Sequence, residues 1–163
     1  MRAVETQRGQ PMKRRTLMQA LVIGLVAPSF ARAEKKTKID VYKTSSCGCC
    51  VDWISHLEQN GFEVIAHNVP KTGPYRLRFG VPPDMASCHT AMVEGYALEG
   101  HVPAQEIRRL LTERPKGLGL AVPGMPVGSP GMEVDGTRRD AFDVILFGEE
   151  GSRKVFQHYD ARS

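Results

Sequence analysis

Three of the four cysteines in this 163-residue chain fall within one short run, Cys47-Gly48-Cys49-Cys50, and the fourth, Cys88, lies 38 residues beyond Cys50. Neighbours such as Cys49 and Cys50 make poor disulfide partners. Their Cα atoms sit ~3.8 Å apart, whereas disulfide geometry wants roughly 5.5 Å. Cysteines that staple a fold are seldom packed this way, so the run points to metal or redox chemistry instead of a disulfide framework. Cys47 and Cys50 are also spaced as C-x-x-C, the thiol–disulfide exchange spacing. His89 adjoins Cys88 and suits a metal ligand, a hydrogen-bond donor to a ligating group or a loop histidine bonded to backbone. His101 precedes a helix start, where capping is a sufficient role. His56 is expected to face solvent, and nothing in the pattern distinguishes His67 or His158.

The elements that must position these residues are readable on either side. Residues 39–43 alternate apolar and polar, as a strand does. After the cysteine loop, Cys50, Trp53, Ile54 and Leu57 fall at i, i+3, i+4 and i+7, one buried helical face, which Asn60-Gly61 ends. A second strand is expected over 62–69 and a helical turn near Leu77 and Phe79. Strands at 90–93 and 96–98 flank Glu94-Gly95, a two-residue hairpin turn. Pro103 is expected at the first position of a helix whose face is Ile107, Leu110 and Leu111, and Pro115 closes it.

Strand, cysteine loop, helix, strand, hairpin, helix is the order of a thioredoxin-like α/β fold, a central mixed sheet flanked by helices. Such folds keep a C-x-x-C pair between the first strand and its helix, and the loop before the third strand faces it, often around a proline. Here that loop is Ser87-Cys88-His89-Thr90, without proline. On this fold all four thiols meet in one pocket. Residues 115–136 are rich in Gly, Pro and Met yet carry Leu118, Leu120, Val122, Met125, Val127 and Met132. That composition suits an ordered flap better than disorder. A closing C-terminal hairpin is expected from 142–147 and 154–158.

Charge excludes one function class. The chain carries 22 Lys and Arg against 18 Asp and Glu, but residues 1–33 hold six of the basic residues and one acidic, leaving 16 against 17 in the remainder. No basic stripe remains to neutralise phosphates, so nucleic acid is not an expected partner. The basic segment explains itself. Lys13-Arg14-Arg15, an apolar run over 17–27 and Ala31-Arg32-Ala33 are the positive region, hydrophobic core and cleavage site of an export signal spanning about 12–33. The apolar run is short for a bilayer span, so no permanent membrane anchor is expected. Residues 34–163 are then the mature, single-domain protein outside the cytoplasm.

The chain resembles the CopG-type copper-resistance proteins. The resemblance rests on Cys47-Gly48-Cys49-Cys50 after the first strand, on Ser87-Cys88-His89-Thr90, on Gly100-His101-Val102-Pro103, and on the long run over 119–132. It implies a periplasmic thioredoxin-like protein that handles copper through its cysteines, with a redox role in copper tolerance. The donor set agrees, because Cu(I) is soft and favours thiolates and thioethers. Three thiols on one loop and a fourth opposite suit several Cu(I) ions sharing sulfurs. A single Cys₄ zinc site is the alternative, although zinc sites usually draw on two separated pairs. Met125 and Met132 are either auxiliary thioether donors or gap fillers.

The expectation is therefore a Cu(I) site made of Cys47, Cys49, Cys50 and Cys88, serving copper detoxification. Two rivals differ in class. One is a thiol–disulfide oxidoreductase with Cys47 and Cys50 as catalytic residues and a periplasmic redox partner. The other is a passive metallochaperone that delivers copper to an exporter.

Overall fold

The structure is a computed structural model and describes residues 35–136 and 138–162. The expected export signal and the cleavage site before Glu34 lie outside the described residues. Among those described, no helix is long and apolar enough to cross a membrane.

The first half is built around β1 (Lys38–Lys43), whose alternation buries Ile39 and Val41 completely. The helix α1 (Gly48–Gln59) carries the chain to β2 (Glu63–Asn68), which pairs parallel to β1. Cys50, Trp53 and Leu57 form the buried face of α1, as their spacing requires. Its end is a Schellman arrangement: Gly61, at φ +83°, donates to Glu58 O, and Phe62 N–H reaches Leu57 O. A short helix, α2 (Gly73–Arg78), and a 3₁₀ turn (Pro83–Met85) lead into β3 (His89–Val93).

β3 and β4 (Tyr96–Glu99) form the expected hairpin, with Glu94 and Gly95 both at positive φ, as a type I′ turn requires. The helix α3 (Ala104–Glu113) follows, then β5 (Gly119–Ala121), β6 (Phe142–Phe147) and β7 (Arg153–Tyr159). The seven strands make one mixed sheet in the order β2-β1-β3-β4-β5-β6-β7. Its first four strands, with β1 parallel to β2 and antiparallel to β3, have the thioredoxin-like arrangement. Trp53 and Leu57 of α1 and Ile107 and Leu110 of α3 pack on one face, against Ile39, Val41, Leu98 and Leu120. Val81, Met85, Ala97, Ala121 and Phe147 form a second cluster.

Three expectations need correction. The Gly/Pro/Met-rich stretch is not loop throughout, because residues 119–121 are β5, paired parallel to β4. Its glycine is what hides it. A Cβ on Gly119 would stand 1.9 Å from Ala97 O, so the strands approach where only glycine fits. Gly119→Ala should therefore cost about 3 kcal/mol, a loss of roughly 10 °C in Tm. Thermal unfolding checks this, and an unchanged Tm would mean the two strands part without cost.

Pro103 is the second correction. It stands one position before α3, with extended backbone (φ −63°, ψ 141°), and its carbonyl accepts the first helical bonds from Glu106 and Ile107. The cap comes from His56, which is half-buried and not solvent-facing. Its Nε2 accepts a hydrogen bond from Ala104 N–H at 3.1 Å. Only the neutral ring can accept there. Burial lowers the His56 pKa, partly offset by the nearby Glu133 carboxylate. The unfolded chain takes up a proton near pH 6.5 that the folded chain resists, so the cap's stabilisation is full above that pH and is lost as pH falls below it. His56→Ala should cost about 1 kcal/mol near pH 8 and clearly less near pH 5. Urea unfolding at both pH values reads the difference; equal costs would rule out the acceptor role.

Candidate functional site

The cysteine loop owes its shape to the start of α1. Thr44 O accepts from Cys47 N–H at 3.2 Å, and Cys47, with extended backbone, is the N-cap residue of the helix. Cys50 lies in the first turn on the buried face. Cys47 and Cys50 are joined by a disulfide, with Cα atoms 5.4 Å apart. Cys49 and Cys88 are free thiols. Cys49 bridges the two sides of the site, its Sγ 3.6 Å from Cys47 Sγ and 3.7 Å from Cys88 Sγ. All four sulfurs lie within 4.8 Å of one another. The structure thus brings together every cysteine the sequence singles out, two of them already spent in a disulfide.

Two histidines complete the pocket. His101 Nδ1 donates to Pro130 O at 2.8 Å, which leaves Nε2 as the acceptor nitrogen, 3.2 Å from Cys88 Sγ. His89 Nδ1 is 3.3 Å from the same sulfur, and its ring packs on Trp53 with centroids 4.2 Å apart. Trp53 is held in turn by a bond from Nε1 to Val102 O at 2.9 Å. Cys88, His89 and His101 form a second cluster with ligand spacing. His101 is therefore part of the site and not a helix cap.

The Gly/Pro/Met stretch lies over this pocket. Pro130 O fixes His101, Ser87 Oγ donates to Gly124 O, and Gly131 sits so close to α1 that a Cβ there would be 2.6 Å from Trp53 N. Met125 is exposed on this stretch.

The electrostatics favour uncharged donors. Burial, with His101 alongside, pushes His89 down to about 3, and burial lowers His101 as well. Burial and the adjacent Cys49 push the Cys88 thiol up to about 12. Such a pocket resists a bare thiolate and a bare imidazolium alike. A bound soft cation would reverse the thiol's preference, because its charge stabilises the thiolate it ligates.

The family described as "Protein of unknown function, DUF411" matches residues 85–132, from the Cys88 loop through His101 to the stretch over the pocket. No match is found among curated proteins. Two solved structures of copper resistance protein CopG, form 1 and form 2, share 46% identity with this chain at a TM-score of 0.73. Each alignment covers 77% of this chain and 99% of the other. The chain belongs to the CopG family. The CopG alignments, over 77% of the chain, extend well beyond the segment matched as DUF411, and the four-sulfur pocket of this CopG-family chain draws on residues 47–50 outside that segment.

Proposed function

We propose that this CopG-family protein is exported to the periplasm and serves copper resistance by binding Cu(I) through Cys47, Cys49, Cys50 and Cys88 in their reduced form. The convergence of four sulfurs within 4.8 Å carries the reading. Thiolates are the donors Cu(I) prefers, and sulfurs this close can be shared between neighbouring ions. Anaerobic titration of the reduced chain, with metal analysis and thiol counting, tests it. Several Cu(I) ions per chain are expected; a single zinc ion held in preference to copper would overturn the assignment.

A second reading is favoured by the closed Cys47–Cys50 disulfide. The pair can give up two electrons and two protons, forming its S–S bond while two Cu(II) ions become two Cu(I). Copper binding and thiol redox are then two phases of one cycle. Export follows from the signal read in residues 12–33, and the mature N-terminus is expected at Glu34. N-terminal sequencing of periplasmic protein checks this; Met1 or Met12 intact in the membrane fraction would argue for an anchor.

A further inference from the structure

Ser87, the residue before Cys88, has both of its backbone polar groups held by one ion pair. Glu99, at the end of β4 and fully buried, accepts from Ser87 N–H through Oε1 at 2.6 Å. The same oxygen accepts from Arg76 Nε at 2.8 Å, while Arg76 Nη2 donates to Ser87 O at 2.7 Å. Arg76 belongs to α2 and is steadied by a bond from Nη2 to Thr72 Oγ1 at 3.2 Å. On the far side of Cys88, His89 O accepts from Gly100 N–H at 3.1 Å. A Cβ on Gly100 would stand 2.7 Å from Ser87 Oγ, so the loop has no slack there. Buried ion pairs are weak evidence for stability, and their best-attested use is to fix one arrangement over others. The planar fork of arginine serves the carboxylate and the carbonyl from two nitrogens held in fixed geometry, Nε and Nη2, whereas lysine has a single nitrogen on a flexible stem.

We propose that the Arg76–Glu99 pair is a positioning device. It touches no sulfur, but holds the Ser87–Cys88 backbone so that Cys88 Sγ meets Cys49 Sγ. The inference rests on the reading of the four thiols as one site.

The test needs no copper. In the full chain carrying C47S and C50S, Cys49 and Cys88 are the remaining thiols. With glutathione disulfide they give up two electrons and two protons. One S–S bond forms between them, one breaks in the oxidant, and two glutathione thiols are released. The equilibrium constant reports the effective concentration of each thiol at the other. Adding R76M with E99Q removes the grip on the Ser87 carbonyl, leaves no unpaired buried charge and keeps an acceptor for Ser87 N–H. It should lower that effective concentration by about tenfold or more.

The control is R109M with E106Q. It removes another arginine pair to a buried carboxylate, whose closest contact is 3.1 Å, and should leave the thiol equilibrium within about twofold. An R76M/E99Q chain within twofold of its parent overturns the proposal, and so does an equal loss in the control. Circular dichroism confirms the fold. Should R76M/E99Q fail to fold, R76K keeps the charge but not the fork, and an unchanged equilibrium in R76K is equally decisive against the proposal. Copper titration of the unsubstituted chain judges the functional reading separately, so each can fail without the other.

Discussion

A chain with its Cys47–Cys50 disulfide closed should bind Cu(I) about a thousandfold more weakly than the same chain reduced. The ligand is the thiolate, and closing the disulfide removes two of the four sulfurs that lie within 4.8 Å. Cys49 and Cys88 remain, with His89 and His101 beside Cys88. Coupling of this kind is reciprocal: copper must favour the dithiol by the factor that the dithiol favours copper. For a two-electron couple each tenfold preference corresponds to about 30 mV, so a thousandfold preference raises the potential of the pair by about 90 mV. Titration against a Cu(I) chelator in both redox states gives the first number. Equilibration with glutathione, with and without Cu(I), gives the second. Equal affinity in the two states would place copper away from these sulfurs.

Cys49→Ser and Cys88→Ser should each lower the number of Cu(I) ions bound, by roughly half, and not merely weaken a constant number. Cys49 has the larger expected effect, because its sulfur lies in contact with both Cys47 and Cys88. Neither change removes a large apolar side chain, so the fold should survive at a cost of about 1 kcal/mol or less. A dithiol enzyme needs only Cys47 to attack and Cys50 to resolve, and in that case Cys49→Ser would leave activity intact. Cellular copper tolerance should fall with stoichiometry. Wild-type stoichiometry in both variants would remove the shared-sulfur site and leave the oxidoreductase.

The cysteines and the elements carrying them were legible because each signal is local. The strand alternates, α1 shows its buried face every three or four residues, and Glu94-Gly95 marks the hairpin. From that hairpin the place of His101 was also within reach. Pairing Thr90 with Glu99 and continuing outward puts Cys88 opposite His101. Capping offers His101 a role nearer in sequence, and that local signal masks the longer-range pairing. His56 went the other way, since nothing in α1 announces that its outer side meets the start of α3. β5 was hidden because the glycine that lets two strands touch is also the residue that marks loops. The Arg76–Glu99 pair joins residues 23 apart across two elements, and no periodicity encodes it.

Trp53 is the chain's single tryptophan. Its indole lies against the His89 ring, and His89 Nδ1 is 3.3 Å from Cys88 Sγ. A lone indole so placed is an intrinsic optical probe of the pocket, and its emission responds to a nearby metal or a change of charge on either neighbour. In a chain whose four tyrosines emit weakly beside it, fluorescence can follow the state of the thiols in real time, without a label and without altering any group that does the chemistry.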